Sequence, residues 1–261
     1  MNKWVPTALA AAMAMLGGCE TTSTTPQFQN DKVSMKEASD DNVKMAYVYL
    51  NQGDRSAAMQ KVQKAIQLDS DNPDAYTAEG AIYDAIGDLD QAGDAYRKAL
   101  RKAPDDPGVE NNYAVFLCKH GNAKESETYF VKAAMNPLYP TPEQAYTNAG
   151  VCATQIPDVG LAEQYFRKAL EVNPASQQSL FELAQISYNQ RKYLQARAFL
   201  ERYDAAGLPP RPEVLYLGML TEQAMHDNQG ATDYAKKLVK MFPTSPQAQQ
   251  LTEAQGHGGT H

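Results

Sequence analysis

Small and apolar positions along residues 39–246 recur with helical spacing, and the whole pattern restarts about every 34 residues. Three- and four-residue steps put such positions on one face of a 3.6-residue helix. Ala65, Ala99 and Ala133 stand 34 apart. Each lies in a string of one type: Val-Gln-Lys-Ala-Ile-Gln-Leu at 62–68, Tyr-Arg-Lys-Ala-Leu at 96–100 and Phe-Val-Lys-Ala-Ala at 130–134. A fourth string, Phe-Arg-Lys-Ala-Leu at 166–170, follows after 36 residues. Each unit also breaks twice. Gly53, Gly87 and Gly121 fall 34 apart, where a first helix must stop, because glycine takes the left-handed backbone of a helix end. Pro104 and Pro174 fall after the second helix, where a missing N–H ends it. The prediction is an all-α solenoid of stacked helix pairs, a fold used mostly as a binding surface.

The residues inside each unit resemble the tetratricopeptide repeat. Unit two carries the resemblance best, with Tyr76, Gly80, Tyr83, Gly87, Ala92, Tyr96, Ala99 and Pro104. Unit four follows with Tyr146, Gly150, Ala162, Phe166, Ala169 and Pro174. Unit one offers Ala46, Tyr49, Gly53, Ala58 and Ala65, and unit three Ala114, Leu117, Gly121, Phe130 and Ala133. Units five and six are weaker. The resemblance implies a right-handed superhelical solenoid of about six repeats over 39–246, with about twelve antiparallel helices. Small residues would let the two helices approach while aromatics fill the space beside them. Two stretches depart from the pattern: the Pro-rich insertion 136–142 and the irregular junction 203–212. Each would alter the superhelical twist or form a tolerated surface loop.

The ends read differently. Lys3, a short apolar run at 4–16 and Leu16-Gly17-Gly18-Cys19 make residues 1–18 a signal peptide, since the run is too short to span a bilayer needing about 20 residues. The four residues resemble a bacterial lipobox, so Cys19 is the expected lipidated first residue of the mature chain. Glu20 stands where, in the lipoproteins this resembles, Asp retains a protein in the inner membrane. That implies outer-membrane anchoring through the lipid, with the repeats in the periplasm. Polar residues from 19 to 38 predict a flexible tether. Residues 247–261 are expected to be a helix end and a disordered Gly/His tail, in which His257 and His261 form no defined metal site.

The chain holds 24 Lys and Arg against 31 Asp and Glu, a net charge of −7. Without a basic stripe, nucleic acid is not an expected partner, nor are anionic head groups. No nucleophile elbow, phosphate loop, zinc spacing or Cys-x-x-Cys is present. The expectation is therefore a non-enzyme with no cofactor, no metal and no small-molecule substrate. His120 and His226 fall at turns between paired helices and read as solvated turn residues. Cys118 and Cys152 lie 34 apart in first helices of adjoining units. An oxidising compartment favours a disulfide between them; the alternative is two buried thiols.

In a tetratricopeptide array the second, fifth, ninth and twelfth positions of each first helix face the concave side. The candidate protein-binding residues at those places are Val43, Tyr47, Leu50, Thr77, Ala81, Asn111, Val115, Thr147, Val151, Phe181, Gln185 and Tyr188. Amides and hydroxyls would suit a partner's backbone, and Val, Phe and Tyr its apolar side chains. The lining holds no Lys or Arg, so a basic clamp for an acidic C-terminal peptide is missing.

Lipobox, polar tether, six repeats and the cysteine pair together resemble the type IV pilus biogenesis/stability lipoproteins of the PilW/PilF type. Asn-Asn-Tyr-Ala-Val-Phe-Leu-Cys at 111–118 and Ala-Tyr-Thr-Asn-Ala-Gly-Val-Cys at 145–152 add to that resemblance. It implies a pilotin: a protein that binds the type IV pilus secretin subunit and promotes its outer-membrane localisation and oligomerisation, with twitching motility depending on it indirectly. Two other readings share the fold and the anchor. One is a periplasm-facing scaffold for cell-wall or envelope-assembly enzymes, the other an accessory lipoprotein of polysaccharide export.

Overall fold

The computed structural model of the protein describes residues 25–156, 159–207 and 209–257, so residues 1–18, Cys19 and His261 lie outside them. The described residues form thirteen α-helices and no strand. Six consecutive pairs make up the array: α1 (Thr25–Asn51) with α2 (Arg55–Leu68), α3 (Pro73–Ile86) with α4 (Leu89–Lys102), and α5 (Pro107–Lys119) with α6 (Ala123–Met135). They continue with α7 (Pro142–Ala153) and α8 (Val159–Val172), α9 (Gln177–Asn189) and α10 (Tyr193–Ala205), and α11 (Pro212–Ala224) and α12 (Asn228–Met241). A last helix, α13 (Pro246–His257), closes the end.

Local sequence explains the boundaries. Prolines 73, 107, 142 and 212 open first helices, where their missing N–H would be unpaired in any case. Asp54, Asp88, Asp106 and Asp227 cap helices by accepting from backbone N–H groups of the first turn, at 2.9 Å for Ala57 and 2.9 Å for Gly230. The turns at Gly53, Gly87 and Gly121 use the expected left-handed backbone. The last two units make the same turn without glycine, through Arg191 (φ 59°) and His226 (φ 61°).

Within a pair, a small residue on the first helix meets a large one on the second. A Cβ on Gly80 would lie 2.8 Å from the Tyr96 ring. On Gly150 or Gly218 it would lie 2.6 Å from Phe166 or Tyr234. Units three and five place Ala114 and Ala184 at this point, with Phe130 and Leu200 sixteen residues on. A second repeating pair changes its chemistry. Lys98 lies 4.1 Å above the Tyr76 ring and Lys168 5.7 Å from the Tyr146 ring. In unit three the aromatic is replaced by Glu110, fully buried, with Lys132 Nζ 2.5 Å from its carboxylate. Burial pushes the Glu110 carboxyl above its usual range, and the lysine opposes that shift.

Two boundaries differ from the sequence reading. α1 begins at Thr25 and so takes in residues 25–38 of the expected tether. No glycine interrupts this stretch, Pro26 falls in the first turn, and Lys36, Glu37 and Ala38 are strong helix formers. At the other end, residues 246–257 form a thirteenth helix rather than the end of a twelfth. Ala248 is buried and Leu251 half-buried against Leu215 and Leu238, so α13 covers the apolar face of the last pair. The insertion 136–142 is tied down: Asn136 Nδ2 donates to the Asp105 carbonyl at 3.0 Å, and Tyr139 packs on Ala133 and Ala145.

Candidate partner-binding groove

First helices lie side by side: α1 against α3, α3 against α5, α5 against α7 and α9 against α11. That contact decides which candidate positions stay open. In α1, α3, α5 and α7 the fifth position turns into the seam between neighbours. Val43, Thr77, Asn111 and Thr147 are all buried there, which corrects their assignment to an open lining. Val43 belongs to the core with Ala46, Ala58 and Val62. Polar residues along these seams bond one unit to the next. Asn148 Nδ2 donates to Asn111 Oδ1 at 3.1 Å, and the Thr147 and Ser179 hydroxyls pair at 2.9 Å. Asn72 Nδ2 donates to Ser39 Oγ at 2.9 Å and to Asp40 Oδ1 at 2.8 Å.

The ninth and twelfth positions of units one, two, four and five remain accessible, as does Val115 of unit three, while Cys118, Met219 and Glu222 are buried. Tyr47, Leu50, Ala81, Gln185 and Tyr188 are half-buried, and so is Phe181 of the fifth position. Val115 (43% exposed) and Val151 (36% exposed) open most among the candidates. They occupy the same place on α5 and α7. Asn112 and Thr154 are exposed on the same two helices, and Asn148 is half-buried there. The centre of the array therefore offers apolar side chains with amide and hydroxyl groups close by, which suits a segment presenting both backbone and apolar groups. Tyr47 stays neutral: burial, then the nearby Asp74 carboxylate, pushes its phenol up to about 12.

Charged groups join neighbouring units, and the sequence reading did not foresee these pairings, since it took His120 for a solvated turn residue. Lys119 Nζ lies 2.8 Å from Asp84 Oδ2, and His120 Nε2 lies 2.7 Å from Asp84 Oδ1. His120 also packs on Phe116, with ring centroids 4.9 Å apart, so it ties two units together instead of standing in solvent. Arg197 grips the buried Glu222 through two nitrogens, Nε to Oε1 at 2.9 Å, and reaches Asp227 at 3.2 Å. The guanidinium of Arg211 sits 5.5 Å from the Phe181 ring. Lys119 and Arg197 are thus spent on carboxylates within the protein.

Cys118 and Cys152 are joined as a disulfide between α5 and α7, with Cα atoms 5.7 Å apart, inside the span such a bond requires. Both sulfurs are buried, and Ser126 Oγ lies 3.1 Å from Cys152 Sγ. The cross-link lies beside Val115 and Val151 in sequence and joins the two helices that carry them. Among the described residues no cluster of His, Cys, Asp and Glu is arranged to hold a metal ion.

Helix pairs stacked with small-against-large contacts define a tetratricopeptide-repeat protein. The tetratricopeptide-repeat family pattern matches residues 43–107 and 158–209. Over 236 residues the chain is 28% identical to the type IV pilus assembly protein PilF of Pseudomonas aeruginosa, covering 90% of this chain and 93% of that one. The crystal structure of PilW, described as a widely conserved type IV pilus biogenesis factor, superposes with a TM-score of 0.70 at 30% identity, over 82% of this chain and 98% of PilW. The solved structure of Pseudomonas aeruginosa pilF gives a TM-score of 0.70 at 26% identity, over 85% and 99%. The chain belongs to the PilF/PilW family of type IV pilus biogenesis tetratricopeptide-repeat proteins.

Proposed function

We propose that this protein is the pilotin of a type IV pilus system: an outer-membrane lipoprotein that binds the secretin subunit and promotes its localisation and oligomerisation. One observation carries the reading: the likeness to PilF and PilW extends over nearly their whole length. The anchor is the lipid expected on Cys19, and residue 20, being Glu, favours the outer membrane. The repeat array then works in the periplasm. The open strip around Val115 and Val151 receives an apolar segment of the secretin, and the amide and hydroxyl groups beside it hold that segment's backbone. The Cys118–Cys152 bond fixes the two helices that carry the strip, so less order must be gained on binding.

The test compares secretin multimers in outer membranes of a strain lacking the gene, complemented with the wild-type chain or with Cys19→Ala. Multimers should return with the wild-type chain only, and Cys19→Ala should leave the outer-membrane fraction. Normal multimers in the deletion strain would overturn the pilotin reading. Retention of Cys19→Ala in the outer membrane without the secretin would overturn the anchor. Recovery of cell-wall synthases or an export porin on crosslinked protein, with no secretin, would favour the scaffold or polysaccharide-export readings instead.

A further inference from the structure

The C-terminal end of the array holds a cleft of about 760 Å³ that the groove does not include. Its floor is Met219 of α11, Ala231, Ala235 and Val239 of α12, and Leu251 of α13. Lys236 and Lys240 stand on its rim. The three α12 residues are four apart and make one continuous strip, about 12 Å long at 1.5 Å per residue.

That strip departs from its counterparts. Aligned through the Gly150–Phe166 and Gly218–Tyr234 pairs, Ala231, Ala235 and Val239 take the places of Glu163, Arg167 and Glu171 on α8. There, Arg167 Nη2 bonds Glu163 Oε1 at 2.7 Å, so α8 covers this face with charge. On α4 and α10 the place of Ala235 is held by Arg97 and Glu201, while α6, with Glu127, Val131 and Met135 in the three places, keeps one charge there. On α12 the same face is small and apolar. Lysines recur in the places of Lys236 and Lys240 and are engaged there: Lys98 and Lys168 lie over the Tyr76 and Tyr146 rings. Lys102 reaches Asp71 at 2.5 Å and Lys132 reaches both Asp105 and Glu110. Lys236 and Lys240 have no ion pair among the described residues, in a chain of net charge −7.

Every junction in this solenoid is a helix laid on a helix pair. An apolar strip with two uncompensated cations beside it suits one more helix, apolar on one face and acidic on its flank. We infer that the cleft between α11, α12 and α13 is a second docking site, which takes an acidic amphipathic helix of a partner protein. The helix lies along Ala231, Ala235 and Val239 and sets carboxylates against Lys236 and Lys240. The site is separate from the strip at Val115 and Val151 and does not rest on the identity of the partner bound there.

The experiment uses the lipid-free mature chain and fluorescent synthetic helices with leucine at every third or fourth position. One carries glutamate on the flank and one carries lysine. Anisotropy should show saturable binding of the glutamate helix and at least about tenfold weaker binding of the lysine helix, a 1.4 kcal/mol difference. Ala235→Arg restores the residue type of α4 and α8, so it is compatible with the fold, and should weaken the glutamate helix at least about tenfold. Lys236→Glu with Lys240→Glu, both on exposed residues, should reverse the preference, and Val115→Glu should change nothing. Equal binding of the two helices, or unchanged binding by Ala235→Arg, would overturn the proposal. A concentration-dependent dimer abolished by Ala235→Arg would overturn it in favour of a second copy of this chain. Binding to phosphatidylglycerol vesicles lost on the double lysine reversal, with neither helix bound, would overturn it in favour of a lipid surface.

Discussion

Gly150→Ala tests the contact on which the repeat is built. An added Cβ would lie 2.6 Å from Phe166 Cε1, 2.7 Å from Cδ1 and 2.9 Å from Cζ. Carbon atoms prefer about 3.5–4.0 Å. Phe166 is fully buried in the largest core cluster, so its ring has no solvent to move into. Either α7 and α8 separate or the ring leaves its rotamer. Overpacking of this kind costs about 1–3 kcal/mol, against a helix-propensity gain of about 1 kcal/mol for alanine over glycine. The net expectation is a loss of roughly 0–2 kcal/mol. Units three and five bracket the outcome: Ala114 stands opposite Phe130 and Ala184 opposite Leu200, all buried, so alanine fits where the pair is spaced for it, and a smaller ring partner relieves it at the spacing of α7 and α8. Phe166→Leu should therefore rescue Gly150→Ala, and the double variant should be more stable than the sum of the two single losses allows. Urea unfolding followed by far-ultraviolet circular dichroism measures it, since the single tryptophan, Trp4, lies outside the described residues, in the expected signal peptide. Gly150→Ala more stable than the parent by the full propensity gain, or additive single losses, would refute the close approach.

Other outcomes follow from the same structure. Lys132→Met should cost roughly 1–3 kcal/mol, less than for a fully buried pair because the lysine is half exposed, and Glu110→Gln should restore most of it in urea melts. Because burial raises the Glu110 carboxyl above its usual 4.5, the folded state holds a proton that the unfolded chain releases. Its contribution is complete below 4.5 and is lost as pH rises through the raised value, so Glu110→Gln should flatten stability against pH in that window. Non-reducing mass mapping of exported protein should show one linked peptide pair containing Cys118 and Cys152, and Cys→Ser at both should cost no more than about 2–5 kcal/mol. Arg197→Ala strands the buried Glu222 carboxylate and should loosen the junction of units five and six, seen as faster amide exchange in α11.

The repeat was readable because its signal is periodic: small residues, turn glycines and terminal prolines return at a fixed interval, each with one physical job. What a single chain hides is the superhelical stacking. That stacking turned the fifth positions, Val43, Thr77, Asn111 and Thr147, into seams and left Val115 and Val151 open. The disulfide was expected from the oxidising compartment, and the packing of α5 against α7 brings the two cysteines within reach of each other. The Glu110–Lys132 pair left a visible mark in register, a glutamate where Tyr76 and Tyr146 stand and a lysine where Lys98 and Lys168 stand. The left-handed turns at Arg191 and His226 left none, since no glycine marks them. α13 escaped because a lone closing helix has no repeat to compare it with.

The most direct test of the account places a photocrosslinking amino acid at Val115 or Val151 in cells that assemble pili, with the exposed Leu138 of the loop 136–142 as the control position. Irradiation should join the secretin subunit to the protein from Val115 and Val151 and not from Leu138. Secretin adducts from Leu138 alone, or adducts from the groove positions that contain only other envelope proteins, would contradict it.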